Sequence, residues 1–192
     1  RRQLKPLIID RKIIDIKVRY EPIIQNDVSI FKTTLIGQHF RDISRYGKYL
    51  LFMMDDYTMV SHLRMEGKYY LRKSLHSLTK HDHVIFILDN GQYLTYHDVR
   101  KFGTMELTKK GEAKKLPSIS KLGPEVHDEH INVRAIYDRI HRSTRAIKSL
   151  LLDQTILCGL GNIYVDETLF LAKIHPETSG NQLTMRHVNH II

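Results

Sequence analysis

The sequence predicts an α+β protein in two lobes, an N-terminal antiparallel β-sandwich followed by a lobe of helices. Three observations predict it. Between Phe40 and Leu107, short β-rich runs succeed one another across tight turns, the pattern of an antiparallel sandwich or barrel. From Ile136 onward the apolar residues recur instead at steps of three, four and seven, which is helical spacing. Between these regimes Lys109 to Lys121 turns polar, with Gly111, Lys114, Lys115 and Pro117, and Gly123-Pro124-Glu125 closes it. Such a stretch reads as an interdomain connection, so the lobes are set at residues 1–123 and 124–192.

Each element has its own warrant. Ile14, Ile16, Val18 and Tyr20 alternate with Asp15, Lys17 and Arg19, a strand with one wet face. Val28, Phe31 and Leu35 mark a short helix that Gly37 ends. Tyr49 to Met53 forms a strand that runs into Asp55-Asp56; Met59 to Met65 follows, then Lys68 to Leu71 beyond Gly67. Val84 to Leu88 turns at Asp89-Asn90-Gly91, a strong hairpin signal, and a run from Tyr93 to Leu107 returns. In the second lobe Asn132 is expected to cap the first helix and Thr184 the last, whose stripe is His187, Val188, Ile191 and Ile192. Ile136, Ile140, Ile147, Leu150 and Leu151 mark the apolar face before Gly159. Ile163, Glu167, Phe170, Leu171 and Ile174 mark the face after it, until Pro176 forbids continuation.

Composition narrows the function. A chain of 192 residues can bury a real core, and Lys+Arg 30 against Asp+Glu 21 gives +9, which suggests a polyanionic partner. Cys158 is the one cysteine, so no internal disulfide forms, as suits a reducing cytoplasm. No apolar run is long enough to cross a bilayer, so no membrane partner is expected.

Several stretches carry chemistry. Gly159-Leu160-Gly161-Asn162 separates two helical patterns; its glycines permit close approach, and Asn162 is a favoured N-cap. A helix start of this kind holds an anionic oxygen such as a phosphate, although a tight turn between packed helices would look the same. Arg139, Arg142, Arg145 and Lys148 precede it with few acids among them. Lys48, just past Gly47, is either a solvated lysine at a strand edge or one aimed into a cleft. In Ser61-His62-Leu63-Arg64-Met65-Glu66-Gly67 the methionine projects from a strand end, although methionines usually fill cores. In Lys80-His81-Asp82-His83 the two histidines are expected on one strand face with His97 nearby, which invites a metal; the ligand set is too thin for zinc, and none is assigned.

These motifs together resemble the formamidopyrimidine-DNA glycosylases over nearly all of the chain. The resemblance is carried by Ser143 to Lys148, Gly159 to Tyr164 and Ala172 to Pro176, a helix–two-turns–helix, by Arg45 to Leu50, by Ser61 to Gly67, by Lys80 to His83, and by Asp98-Val99-Arg100-Lys101-Phe102-Gly103. It implies base-excision repair: a DNA glycosylase with apurinic-site lyase activity that removes oxidised purines, 8-oxoguanine and formamidopyrimidine, from duplex DNA. Lys48 is the implied catalytic residue. His81, Arg100, Asn162, Lys148 and His62 are the implied DNA contacts, with His83 structural. Met65, Arg100 and Phe102 are the wedge that fills the stack when a base is swung out. The Arg-x-Phe-Gly element separates this family from its endonuclease-eight-like relatives for oxidised pyrimidines; a non-catalytic nucleic-acid-binding module is the other alternative. The resemblance further implies a Pro-Glu start ahead of Arg1 whose amine attacks the sugar, and a zinc-binding hairpin beyond Ile192. The residues 1–192 alone are therefore expected to bind DNA without excising bases. A monomer in the bacterial cytoplasm, at the nucleoid, is the implied setting.

Overall fold

In a computed structural model, residues 2–192 are described. They divide into two compact units, one ending at Leu116 and the other Pro117–Ile192, rather than after Gly123. The difference has a local cause. Gly123 donates its N–H to Gln154 O at 2.8 Å and lies so close to the Thr155 and Ile156 carbonyls that a Cβ would collide with them, so it is part of the helical unit.

The first unit contains α1 (Lys5–Ile8), β1 (Ile13–Val18), α2 (Val28–Leu35), β2 (Asp42–Tyr46), β3 (Tyr49–Met53), β4 (Tyr57–His62), β5 (Lys68–Arg72), β6 (Asp82–Leu88), β7 (Tyr93–His97) and β8 (Thr104–Lys109). The strands form two four-stranded antiparallel sheets, ordered β1-β6-β7-β5 and β2-β3-β4-β8. The inner faces share one core, in which Phe40 stands edge-on to Phe52 of one sheet and to Phe86 of the other. This is the expected sandwich. Asp27 caps α2 by accepting from Ile30 N, and Gly37 ends it at φ 91°.

Two strand expectations change. The register of β1 on β6 shifts between Ile13 and Asp15, so Ile13 and Ile16 are buried while Ile14 is 50% exposed. A bulge breaks the period of two, which an alternation count assumes throughout. The run from Tyr93 to Leu107 is also two strands, β7 and β8, which lie in different sheets. Asp98 to Gly103 carries the chain from one sheet to the other.

The second unit contains α3 (Pro117–Ser120), α4 (Val133–His141), α5 (Ile147–Leu152), α6 (Asn162–Ala172) and α7 (Met185–Ile191). Asn132 caps α4 by accepting from Ala135 N, and Thr184 with His187 forms a capping box on α7. Ile136, Ile140, Ile147, Leu150 and Leu151 are all buried, as the spacing predicts, and Val188 and Ile191 join their core. The face predicted for α6 is wrong. Val165 and Leu169, one turn apart, face the core, while Ile163, Phe170 (79% exposed) and Leu171 point away. The helix is apolar on several sides, and such a sequence does not name the side that packs.

Candidate nucleic-acid interface

Lys48 sits at the tip of the β2–β3 hairpin. Tyr46 pairs with Tyr49, so Gly47-Lys48 is a two-residue loop, and Gly47 supplies its positive φ of 54°. Arg45 Nη1 donates to Gly47 O at 2.7 Å and firms the turn. The Lys48 side chain is exposed, yet partial desolvation pulls its ammonium below the usual lysine value.

His62 ends β4 opposite Tyr49, whose ring meets it edge-on at 4.6 Å. Desolvation, and the positive charges of Arg64 and Lys48, lower its pKa to about 4. The ring is therefore neutral, and its Nδ1 accepts from Arg64 N at 2.9 Å. Nδ1 of this histidine is thus committed to the next turn.

That turn carries Met65. The strand ends at His62, three residues short of the expected end, because Gly67 N donates back to Leu63 O at 2.9 Å and Arg64 takes a left-handed φ of 53°. Met65 is 74% exposed at the apex. The loop between β7 and β8 is built on the buried carboxylate of Asp98. Oδ1 accepts from Arg100 N at 3.0 Å, and Oδ2 accepts from Phe102 N at 3.0 Å and Gly103 N at 2.9 Å. Burial raises the Asp98 carboxyl, but these backbone donors outweigh it and hold the group below its ordinary value. Lys101 adopts φ 58° and lies over the Tyr20 ring at 4.6 Å, while the Arg100 guanidinium lies over the Phe102 ring at 4.8 Å. Phe102 is 53% exposed, unusual for a phenylalanine with a core close by.

The two loops meet. Gly67, two residues after Met65, and Gly103, directly after Phe102, both lie against the Tyr96 hydroxyl, and a Cβ on either would strike it. The structure therefore brings the Met65 turn and the Arg100–Phe102 loop to one buried phenol.

The histidine pair separates. His81 precedes β6, and the register shift between Asp82 and Val84 turns it from His83, so they do not share a strand face. His81 stands edge-on to His97 at 5.7 Å. His83 is buried, and its Nε2 donates to Asp98 O at 2.8 Å. Asp82, fully buried between them, accepts from Thr79 N at 2.6 Å, Arg72 Nη2 at 3.1 Å and His97 Nδ1 at 3.2 Å. Among the described residues no group of three or more His, Cys, Asp or Glu is placed to hold a metal ion. Zinc therefore has no fit among them.

In the helical unit the expected cap is displaced by one residue. Gly161 is the N-cap of α6, and Asn162 is its exposed first helical residue. An exposed amide at this position can reach an external acceptor, beside the N–H groups that a helix start leaves without intrahelical partners. The turn before it is stitched by Gln154, which the sequence reading missed. Its Oε1 accepts from Gly159 N at 2.9 Å and its Nε2 donates to Leu152 O and Leu160 O, each at 3.0 Å. A lone Gln gives no sequence signal for such a role. Asp98 could have been found, since an Asp at a strand end followed by a left-handed turn is a familiar local pattern.

The basic set is less free than its sequence surroundings suggest. Arg145 pairs with Asp153 at 3.0 Å, Lys148 with Asp166 at 2.7 Å, and Arg139 donates to Thr155 O at 2.7 Å. Acids distant along the chain arrive through folding. Arg142, at the end of α4, is exposed.

Comparison with known proteins agrees over both units. The formamidopyrimidine-DNA glycosylase N-terminal domain matches residues 1–105, and the H2TH domain of the same enzymes matches residues 122–192. A formamidopyrimidine-DNA glycosylase of Ligilactobacillus salivarius is 47% identical over 98% of this chain and 68% of its own length; one from Halalkalibacterium halodurans is 46% identical over 98% and 69%. Among solved structures, the Lactococcus lactis enzyme in complex with DNA containing an abasic site superposes with a TM-score of 0.93 at 42% identity, covering 100% of this chain and 72% of that one. The same enzyme with DNA containing the lesion Fapy-dG gives 0.94 at 42% identity, with the same coverage. With both units matched in sequence and the whole described chain matched in fold, the chain belongs to the formamidopyrimidine-DNA glycosylase family.

Proposed function

We propose that this chain carries the DNA-holding and gap-filling surfaces of a base-excision-repair glycosylase and apurinic-site lyase for oxidised purines in duplex DNA. The observation that carries this reading is the meeting of two loops at Tyr96, one with an exposed Met65 and the other with an Arg100 stacked on Phe102. An extruded base leaves a vacancy and an unpaired partner. Met65 and Phe102 suit the vacancy as apolar wedges. Arg100, pre-aligned on the ring, suits the partner base, since a bidentate contact is worth roughly 1–3 kcal/mol of discrimination. The Lactococcus lactis complexes with abasic and Fapy-dG DNA support the same class of substrate.

Lys48 is assigned to a phosphate beside the lesion and to the elimination that cuts the strand. Its lowered pKa means that the ammonium releases a proton more readily than a solvated lysine. His81, half-buried beside His97, and Asn162, exposed at the α6 start, are assigned to neighbouring phosphates, with His62 contributing Nε2. Lys148 is a weaker contact, because a phosphate must compete with Asp166 for it. Lyase chemistry runs through an imine and needs an activated amine; the family resemblance assigns that amine to a Pro ahead of Arg1, not to Lys48. Zinc enters only through the family, and no step above uses it. A monomer working on the bacterial nucleoid in the cytoplasm completes the reading, with the β lobe as the catalytic-type domain and the helical lobe as the DNA-binding one.

Borohydride trapping of the full-length protein tests the activity. A covalent adduct is expected on a duplex containing 8-oxoguanine and none on the undamaged duplex. Failure to trap on the lesion duplex, with binding intact, leaves the non-catalytic module as the reading.

A further inference from the structure

We propose that Tyr96 is a positioning residue, whose hydroxyl couples the Met65 turn to the Arg100–Phe102 loop so that the two enter DNA as one wedge. The inference rests on the wedge reading given above and extends it to a residue that touches no DNA.

The geometry is specific. Tyr96 is fully buried, and its hydroxyl donates to Asp98 Oδ2 at 3.1 Å. The same oxygen accepts from Phe102 N and Gly103 N, so the phenol joins the hydrogen-bond set that shapes the second loop. The first loop reaches the phenol by contact: Gly67 abuts the hydroxyl, and Gly103 abuts it too. Both positions tolerate only the absence of a Cβ. Each loop also contains a left-handed non-glycine residue, Arg64 in one and Lys101 in the other. Such conformations cost free energy and persist only where the surroundings over-determine them. The phenol lies against both loops, at Gly67 in one and at Gly103 in the other, and Asp98 ties it to the second. A phenylalanine would fill the place of the ring but would lack both the donor to Asp98 and the atom that Gly67 and Gly103 abut.

The test compares affinity for a duplex holding an abasic-site analogue with affinity for the intact duplex. Tyr96→Phe is expected to lower that ratio roughly tenfold, the size of one charge-assisted hydrogen bond, while intact-duplex affinity stays unchanged. A double-mutant cycle supplies the readout that a merely structural tyrosine would not move. Met65→Ala and Phe102→Ala are expected to be non-additive in the wild-type background and additive in Tyr96→Phe. A Tyr96→Phe protein with lowered Tm but an unchanged ratio and unchanged coupling overturns the inference and leaves the wedge standing. If Met65→Ala and Phe102→Ala themselves leave the ratio unchanged, the wedge reading falls first. Should Tyr96→Phe fail to fold, Asp98→Asn carries the same two expectations, because it weakens the acceptor that the phenol and the loop amides share.

Discussion

Arg100 and His62 show how a side chain acquires a task from its immediate surroundings. The Arg100 guanidinium is held over Phe102 and makes its backbone bond to Asp98, so substitution removes a prepared group from an otherwise intact loop. Arg100→Ala is expected to weaken binding to a lesion duplex by roughly 1–3 kcal/mol more than binding to the undamaged one; equal losses in a titration of both duplexes would remove Arg100 from the wedge. His62 makes a pH prediction. Its folded pKa of about 4 lies below the ordinary 6.5, so the unfolded chain binds the proton more readily than the folded one. Its contribution to stability is therefore full above about 6.5 and is lost as pH falls towards 4. His62→Asn, which keeps an acceptor for Arg64 N but does not titrate, is expected to flatten the dependence of Tm on pH across that window. An unchanged slope would mean that the histidine is not held neutral.

At the level of elements, the turns carry the function and the strands and helices aim them. The β2–β3 hairpin presents Lys48, the β4–β5 turn presents Met65, the β7–β8 loop presents Arg100 and Phe102, and the turn into α6 presents Asn162. The last of these depends on one side chain. Gln154 holds three backbone groups of the turn, and its loss leaves Gly159 N, Leu152 O and Leu160 O in need of new partners. Gln154→Ala is expected to destabilise the helical unit by about 1–3 kcal/mol and to weaken DNA binding beyond what lost stability accounts for, since the α6 start would no longer be held in place. A thermal melt and a binding isotherm well below Tm separate the two effects. Binding at full strength in that variant would show that the turn keeps its shape without Gln154.

Across the whole molecule, charge is abundant but much of it is already neutralised. The net +9 overstates the cations available to DNA, because Arg145, Lys148 and Arg41 pair with carboxylates within the chain. The slope of log affinity against log salt concentration is therefore expected to reflect a few phosphate contacts, at about 0.9 per contact, and Lys48→Ala to reduce it by about one such step. A slope that Lys48→Ala leaves unchanged would remove Lys48 from the phosphate. The fold class, the hairpin at Asn90-Gly91, the helix caps at Asn132 and Thr184 and the family motifs could all be read from the sequence, because each rests on local backbone preference or on a short pattern of residue types. The buried side of α6, the parity of β1, the switch of sheets after His97 and the neutralisation of the basic set could not. These depend on which distant residues arrive as partners, as Asp166 does for Lys148 and Phe86 for Ile16. The meeting of Gly67 and Gly103 at the Tyr96 hydroxyl is of the same kind: the two glycines belong to separate motifs in the sequence, and nothing there joins them to each other or to Tyr96, since burial and close approach are properties of packing and not of the local chain.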